Sequence, residues 1–264
     1  MLKKLTFLAS LAFLTACTTV PITGRRQLSL VSDSEINSLA ATQYREVIAK
    51  GPLSTNAQYN AMVKRVGQRI QVAVESYFRQ QNASEQLAGY QWEFNVIQDD
   101  KQQNAWCMPG GKVAVYTGIL PITQDENGLA VVMGHEIAHA VAKHGNERMS
   151  QGLVQQLGGS ALSVALQNNA PVTQQVALQA FGVGSTLGLL KYGRNQESEA
   201  DHLGLIFMAM AGYNPDGAIG FWQRMEAKGG AAPPEFLSTH PSSGTRIADI
   251  QRELPNARKY YKPQ

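Results

Sequence analysis

The stretch GHEIAHAVAKH, residues 134–144, places Glu136 between His135 and His139 inside an otherwise small and apolar run. Residues four apart lie on the same face of an α-helix, so the two imidazoles point the same way and can share one metal ion. Glu136 lies about 100° further round such a helix, where its carboxylate reaches a water on the metal without binding the metal itself. The stretch therefore predicts an HExxH arrangement, with two zinc ligands and a general base. The competing interpretation is a chance match or a structural pair of histidines.

A catalytic zinc takes three protein ligands and leaves one position open, so a further ligand must come from elsewhere in the chain. All five histidines lie in the second half of the sequence. His144 is five residues beyond His139 and is rotated off the face that His139 shares with His135, so we interpret it as a cation at the end of the helix. His202 and His240 remain as candidates.

The segment NQESEAD, residues 195–201, is the stronger candidate for the third ligand. Its Glu197 and Asp201 are four residues apart, so a helix here presents both carboxylates to the same side. One of them would bind zinc, and the other would accept the free N–H of a ligand histidine and fix its tautomer. The alternative is an ordinary acidic, solvated start of a helix.

The N-terminus has the pattern of an export signal. A basic start at residues 1–4 precedes an apolar run over residues 5–14, which is too short to span a bilayer well. The run ends in small residues before Cys17, which resembles the lipobox of bacterial lipoproteins. We therefore predict a lipoprotein signal peptide over residues 1–16, a lipidated Cys17 and a tether over residues 17–31. A plain secretory signal that is cut nearby is the alternative.

The remaining chain, residues 32–264, is long enough for a single domain with a substantial core. Its 44% hydrophobic and 16% charged residues are typical of a globular protein. A net charge of +3, without a basic stripe or interleaved aromatic residues, argues against a nucleic-acid partner. Cys107 is the only cysteine besides Cys17, so we expect no internal disulfide and interpret Cys107 as a small buried apolar residue.

Capping signals and hydrophobic periodicity predict a mostly helical α+β fold with a small sheet. The helix that carries HExxH is expected to start at the capping-box pair Thr123 and Glu126 and to end at His144 and Gly145. The expected elements are helices over residues 32–50, 56–80, 123–144, 196–211, 215–228 and 242–254, strands over residues 89–97 and 112–117, and a loop over residues 99–111.

Residues 151–190 contain no Asp, Glu, Lys, Arg or His. They are rich in Gln, Asn, Ser and Gly, and Pro171 divides them, so they predict an uncharged helical hairpin insertion and no convincing membrane span. The hairpin either packs on the domain or contacts the membrane or a second subunit, and a homo-oligomer therefore stays open.

The pair of motifs, HExxH followed by ExxAD at residues 197–201, resembles the gluzincin family of HtpX and the CAAX prenyl proteases. More specifically, it resembles the bacterial periplasmic lipoprotein branch of that family. The segment PITGRRQL, residues 21–28, is similar to the one that follows the lipid anchor in those lipoproteins. Residues 104–118 resemble the strand pair above the zinc helix, and Thr239-His240-Pro241 with Arg246 resembles the family's THP…R element. The resemblance covers about residues 20–250.

The resemblance implies a zincin-like metalloprotease domain, with a small sheet packed above the HExxH helix and one zinc ion per chain. The implied zinc ligands are His135, His139 and Glu197, the general base is Glu136, and the partner of a ligand histidine is Asp201. His240 would approach the metal and either help the transition state or block the open position, unless it is a surface loop residue. Arg246 would steady that loop or the oxyanion, unless it is an exposed helix charge.

The implied activity is zinc-dependent endoproteolysis of unfolded or misfolded envelope polypeptides in the periplasm. The lipid anchor at Cys17 would attach the protein to the outer membrane. By resemblance, the presence of Thr18 rather than an aspartate directly after the cysteine favours that membrane. The sequence ends at Gln264, so we expect no C-terminal repeat domain and carry over none of the roles that depend on one.

We expect a substrate strand to add to the edge of the strand over residues 112–117 through backbone hydrogen bonds. The expected substrate-binding residues are Asn104, Ala105, Val113 and Val115. One rival hypothesis is a latent zinc-bound holdase or adaptor, in which His240 is a permanent fourth ligand. Another is a protease whose activity is confined to one partner.

Overall fold

The computed structural model describes residues 17–20, 23–167, 171–228, 235–240 and 244–263. The predicted signal peptide at residues 1–16 lies outside this part of the chain. The helices are α1 (Asp33–Lys50), α2 (Ala57–Gln80), α3 (Leu120–Thr123), α4 (Glu126–Val141), α5 (His144–Ala165), α6 (Pro171–Met210), α7 (Gly217–Ala227), α8 (Glu235–Thr239) and α9 (Arg246–Ala257). The strands are β1 (Cys17–Thr19), β2 (Arg26–Leu28), β3 (Glu93–Ile97), β4 (Ala105–Met108) and β5 (Lys112–Tyr116). The mostly helical α+β class predicted from the sequence is confirmed.

Three strands form one sheet in the order β3–β5–β4. The central strand β5 runs parallel to β3, with Val113 opposite Phe94, and antiparallel to β4, with Ala114 opposite Trp106. The strand β4 occupies part of the segment that we predicted as a loop over residues 99–111, so that prediction is wrong there. Four residues are too few to show a period of two, so the pattern alone missed this strand, which the resemblance over residues 104–118 implied.

Helices cover both faces of this sheet. On one face, Tyr44 of α1 packs with Ile97 and Ala114, and its hydroxyl donates to the carbonyl of Val113 at 3.0 Å. On the other face, Val113 and Val115 join the main core, which includes residues of α2, α4 and α6. Successive residues of a strand point to opposite faces, so β5 belongs to both clusters. The HExxH helix α4 packs directly against β4, as the resemblance implied.

The helix α4 begins at another cap than the one predicted. Its N-cap is Asp125, whose carboxylate accepts from the backbone N–H of Gly128 at 2.8 Å. Thr123 belongs to the short helix α3 and donates its hydroxyl to the carbonyl of Leu120 instead. Both residues are good N-caps, and the turn between α3 and α4 decides which one lies beside free N–H groups.

The helix α4 also ends earlier than predicted. Lys143 adopts a left-handed backbone conformation, with a φ of 59°, and α5 begins at His144 immediately afterwards. His144 and Gly145 therefore belong to the next helix and do not terminate α4. A left-handed residue other than glycine is uncommon and has no clear sequence signature. The break changes the direction in which the His144 side chain points.

Of the uncharged residues 151–190, residues 151–165 belong to α5 and residues 171–190 belong to α6. These helices pack together where the Phe181 ring of α6 lies 2.9 Å from the position of a Cβ on Gly158 of α5. Leu157 and Val164 of α5 are exposed. Among the described residues, no helix has the length and apolar character needed to cross a membrane.

Residues of the predicted tether over residues 17–31 form a small antiparallel pair of strands, with Thr18 of β1 opposite Gln27 of β2. The segment packs on α5, where the backbone N–H of Leu30 donates to the hydroxyl of Ser150 at 2.9 Å. Cys17 is the first residue of β1, and its lipidation stays a prediction.

Helix α6 crosses α4 at a pair of glycines. It is one helix of 40 residues and therefore much longer than the helix predicted over residues 196–211. A Cβ on Gly134 would lie 2.9 Å from the carbonyl oxygen of Gly204, and a Cβ on Gly204 would lie 2.9 Å from the backbone nitrogen of His135. The two backbones are in direct contact, which brings together the side chains on the neighbouring turns of each helix.

The substitution Gly204→Ala is expected to destabilise the protein by about 1–3 kcal/mol, because the new methyl group forces two backbones apart. Gly193→Ala is the matched control in the same helix, because a Cβ there meets no atom within 4 Å. It is expected to stabilise the helix by about 0.5–1 kcal/mol. Urea unfolding of the metal-free variants measures both effects. Equal stability of Gly204→Ala and wild type would contradict the close crossing.

Candidate metal centre

Two histidines of α4 face each other at the crossing with α6. The Nε2 atoms of His135 and His139 are 3.1 Å apart, and both side chains are buried. Burial lowers the pKa of His139 well below its usual value, so that ring is neutral. Burial also acts to lower the pKa of His135, but hydrogen bonds with Asp201 and Glu197 outweigh it and raise that pKa to about 9. A metal that binds His135 must therefore displace a proton.

Glu197 of α6 completes a triangle of ligand atoms with the two histidines. Its carboxylate oxygens lie 3.3 Å from His135 Nε2 and 3.3 Å from His139 Nε2. Nitrogen and oxygen ligands of a tetrahedral zinc lie 2.0–2.1 Å from the ion, which places them about 3.4 Å from one another. The three distances of 3.1, 3.3 and 3.3 Å agree with such a set of ligands. Burial alone would raise the pKa of Glu197, but hydrogen bonds to the surrounding histidines hold it well below its usual range.

His240, which follows α8, lies in the same group of donors. Its Nδ1 is 3.2 Å from His135 Nε2 and 3.1 Å from both carboxylate oxygens of Glu197. Ligand atoms of His135, His139, Glu197 and His240 all lie within 4.8 Å of one another. The His240 ring stacks on Phe236, with the ring centroids 4.8 Å apart. His240 is therefore placed as a fourth donor and is not a surface residue.

Glu136 lies beside these donors without joining them. Its side chain is buried, and its Oε1 has no hydrogen-bond partner among the described residues. His240 Nε2 is 3.3 Å from that oxygen, in a geometry that makes no hydrogen bond. Burial raises the pKa of Glu136 above its usual value. A buried carboxylate oxygen without a partner is costly, so its place beside a set of metal ligands fits a group that receives a proton from a water there.

Asp201 holds His135 from the side opposite the ligand atom. Its Oδ1 lies 3.0 Å from His135 Nδ1 and accepts from the guanidinium of Arg246 at 2.7 Å. Burial acts to raise the pKa of Asp201, but Arg246 and His135 keep it below its usual value. A carboxylate on the second nitrogen of a metal-binding imidazole fixes its tautomer and orientation. The spacing predicted that Glu197 or Asp201 makes such a contact, and the family resemblance implied that it is Asp201.

Arg246 is buried, so the interpretation as an exposed helix charge is wrong. Its guanidinium lies 3.5 Å from the ring centroid of Trp222 and donates to the carbonyl of His240 at 3.3 Å. It therefore links Asp201 to the backbone next to His240. The predicted role of steadying that part of the chain agrees with these contacts. Trp222 gave no functional signal in the sequence, because a tryptophan in an amphipathic helix usually packs in a core.

His144 is part of the site, contrary to its interpretation as a cation at a helix end. It is fully buried, and its Nδ1 lies 2.8 Å from His139 Nδ1. Its Nε2 lies 2.9 Å from Glu199, and burial lowers the pKa of His144. The left-handed turn at Lys143 directs the ring towards His139, which a continuous helix would not do. His202 bonds to Glu253 at 2.6 Å and lies outside the donor group.

The expected substrate-binding residues need a correction. The strand over residues 112–117 cannot accept a further strand, because β5 is the central strand and pairs on both sides. The side chains of Asn104, Ala105, Val113 and Val115 are all buried, so they do not offer contacts to a substrate side chain. The outer strand that packs on α4 is β4. The order of the strands in the sheet could not be predicted from the periodicity, because that pattern predicted a loop over the residues of β4.

The remaining cysteine is less enclosed than the sequence predicted. Cys107 lies in β4, is half-buried and packs against the main core. Burial raises the pKa of its thiol well above the usual value, so the thiol stays protonated and poorly reactive.

The chain matches the sequence profile of Peptidase family M48 over residues 64–254, which is more than half of its length. It is 35% identical over 243 residues to the mitochondrial metalloendopeptidase OMA1 of Schizosaccharomyces pombe, covering 90% of this chain and 66% of that protein. It is 32% identical over 260 residues to the mitochondrial metalloendopeptidase OMA1 of Danio rerio, covering 96% of this chain and 53% of that protein. It is 35% identical over 169 residues to a putative β-barrel assembly-enhancing protease of Vibrio cholerae, covering 61% of this chain and 34% of that protein.

These relatives are longer than the chain, which spans from about one third to two thirds of their length. They are OMA1 and β-barrel assembly-enhancing proteases, whereas the motifs alone indicated HtpX and the CAAX prenyl proteases. The family match includes α4 and the part of α6 that carries Glu197 and Asp201. The chain belongs to peptidase family M48 and carries a metallopeptidase domain of that family.

Proposed function

We propose that the protein is a zinc-dependent metalloendopeptidase that cleaves unfolded or misfolded polypeptides. The observation that carries this proposal is the triangle of His135, His139 and Glu197 ligand atoms, with the partnerless carboxylate of Glu136 beside it. Two imidazoles and one carboxylate are a donor set that suits zinc. The arrangement supplies three ligands and a base, which are the protein groups that metal-assisted hydrolysis of a peptide bond needs.

The residues divide the chemistry between them. Zinc, when bound by the three ligands, lowers the pKa of a water and polarises a carbonyl group. Glu136 would act as the general base, taking a proton from water at the site and passing it to the leaving amine of the cleaved peptide bond. Asp201 and His144 hold the second nitrogens of His135 and His139, so that both rings keep their Nε2 lone pairs directed at the site.

The substrate is proposed to pair with the outer edge of β4, which pairs with no further strand among the described residues, and not with the central strand β5. The strand β4 packs on α4, the helix that carries Glu136, so we propose that a peptide on this edge is led towards that residue. Pairing through backbone groups tolerates many side-chain sequences but requires an extended chain. This mode of binding favours unfolded polypeptides over folded proteins.

A place in the bacterial envelope is proposed from the sequence. The lipobox-like residues before Cys17 support a periplasmic protein that is anchored to the outer membrane by its lipids. The name of the Vibrio cholerae relative, a putative β-barrel assembly-enhancing protease, supports the same compartment. The proposed partners are then unfolded or misfolded envelope polypeptides and the outer membrane, and a homo-oligomer is compatible with the exposed apolar residues of α5.

The position of His240 favours a second candidate function. A fourth donor 3.1–3.2 Å from the ligand atoms would close the coordination shell, as in a structural zinc site. The protein would then be a latent zinc-bound holdase or adaptor in envelope protein assembly, with little general proteolysis. The two candidates share the ligands His135, His139 and Glu197 and differ in whether His240 gives way to a substrate.

Cleavage of casein by the zinc-loaded protein separates these candidates. We expect the wild type to cut, a chelator to stop cleavage, and one equivalent of zinc to restore it. His240→Ala is expected to cut about tenfold faster, because removal of the competing donor lowers the activation free energy by roughly 1.4 kcal/mol. His202→Ala is the matched control, since that histidine lies outside the donor group, and it is expected to behave like wild type. If neither the wild type nor His240→Ala cuts while zinc remains bound, general proteolysis is excluded and the holdase is favoured.

A further inference from the structure

Arg25, in the segment between β1 and β2, contacts two buried carboxylates, one on α5 and one on α6. Its Nε donates to Glu199 Oε2 at 2.7 Å, and its NH1 donates to Glu147 Oε1 at 2.8 Å. The side chains of Glu199 and Glu147 are 5% and 1% exposed, whereas that of Arg25 is 23% exposed. Buried carboxylates require a paired cation, and Arg25 supplies one to both from outside the catalytic domain's core. The forked guanidinium is suited to hold two acceptors at fixed positions.

Glu199 connects this arginine to the metal centre. Its Oε2 lies 2.9 Å from His144 Nε2, and its Oε1 accepts from the hydroxyl of Thr23. His144 Nδ1 in turn lies 2.8 Å from His139 Nδ1. Hydrogen bonds therefore connect Arg25 through Glu199 and His144 to the imidazole of His139 without a break. Arg25 is half-buried, and the other three residues are buried.

The donors and acceptors along this chain have one consistent arrangement. A neutral His139 that offers its Nε2 lone pair to a metal carries its proton on Nδ1 and donates it to His144 Nδ1. His144 then carries its own proton on Nε2 and donates it to the Glu199 carboxylate. Glu199 is held in place to accept that proton by Arg25 and Thr23. A shift of Glu199 would therefore release both histidine rings.

We propose that Arg25 is a positioning residue of the metal centre, which orients the ligand His139 through Glu199 and His144. The proposal rests on the proposed function, because it requires His139 to bind zinc. It makes Thr23 and Arg25 a part of the site, although the sequence presents them as a tether behind the predicted lipid anchor. Partners of ligand histidines typically change metal affinity about 10–100-fold when they are removed. Arg25 lies two contacts further out than His144, so we expect the lower end of that range.

The test is the zinc affinity of the full chain, measured by competition with a chromophoric chelator. Arg25→Ala is expected to bind zinc about tenfold more weakly than wild type. Arg26→Ala is the matched control, because it removes the same charge from the exposed neighbouring residue, and its affinity is expected to equal that of wild type. Arg25→Lys keeps the positive charge but lacks the guanidinium that donates to two carboxylates, and it is expected to recover part of the lost zinc affinity. The visible absorption of the cobalt-substituted protein is expected to change in Arg25→Ala and to stay unchanged in Arg26→Ala.

A double-mutant cycle with His144→Leu shows whether Arg25 acts through His144. In the His144→Leu background, Arg25→Ala is expected to change zinc affinity by less than about twofold, because the connecting contact is already gone. A full tenfold loss in that background would overturn the proposed route.

The outcomes distinguish this inference from the proposed function. A wild type that binds no zinc would overturn both. A wild type that binds one zinc, with the same affinity in Arg25→Ala, would overturn only the inference, even if the metal-free variant unfolds at a lower temperature. If Arg25→Ala fails to fold, Arg25→Lys decides instead: an affinity equal to that of wild type contradicts the positioning role, and a severalfold loss supports it.

Discussion

Glu136→Gln is expected to lower kcat/KM for an unfolded substrate by about 10²–10⁴-fold, while the protein still binds one zinc ion. The amide has nearly the shape of the carboxylate but cannot take a proton from water at neutral pH. Glu136 has no hydrogen-bond partner at Oε1 among the described residues and makes none of the short ligand contacts. Its loss therefore removes proton transfer and leaves the metal site intact. The measurement is cleavage of a labelled casein together with the zinc content of each protein.

Glu126→Gln provides a control for this substitution. It makes the same chemical change in the same helix, at a residue that pairs with Arg65 and accepts a hydrogen bond from Tyr213 at 3.1 Å, away from the donor group. We expect wild-type cleavage from this variant. Glu136→Gln that cleaves at the wild-type rate would refute the proposed mechanism, because a working general base cannot be replaced by an amide without loss.

Glu197→Gln is expected to weaken zinc binding by about 10³-fold, because it removes one of three ligands and the only anionic one. The low pKa of Glu197 means that its negative charge is already present at neutral pH, where it offsets the charge of the metal. The amide keeps the volume of the side chain, so the core stays filled. Chelator competition and metal analysis after gel filtration measure the loss.

Substitutions at two neighbouring residues of α6 provide comparisons for the zinc affinity of Glu197→Gln. Ser198→Ala is the control, since its exposed hydroxyl bonds to the carbonyl of Arg194 one turn away and, within the described part of the chain, to no residue of the donor group. Glu199→Gln is expected to weaken zinc binding about tenfold, because Glu199 acts on His139 through His144. Wild-type zinc affinity in Glu197→Gln would show that the third ligand lies elsewhere, and His240 would then be the candidate.

The parts of the site that the sequence predicted are those that depend on local spacing. The positions of His135, Glu136 and His139 follow from the helical period, and so does the shared face of Glu197 and Asp201. The helix expected over residues 32–50 also depends on a local pattern, since the hydroxyl of Ser32 accepts from the N–H of Glu35 at its start.

The parts that the sequence did not predict depend on tertiary context. His144 joins the site only because the chain turns at Lys143, and no propensity marks that turn. The sequence left Arg246 open between a role at the site and an exposed helix charge, because its partners, Asp201 and Trp222, are distant in the chain. The edge position of β4 required its pairing to be known, since four residues carry no periodicity of their own.

The contact between α4 and α6 at Gly134 and Gly204 has a consequence for how much length variation the chain tolerates. Each residue of a helix advances the direction of its side chains by about 100°. One residue inserted between Glu197 and Gly204 would turn Glu197 out of the site, because the glycine contact fixes the phase of the helix there. One residue inserted near Pro171 would rotate only the outer end of the hairpin. The spacing inside the site is therefore rigid, while the hairpin is free to vary in length.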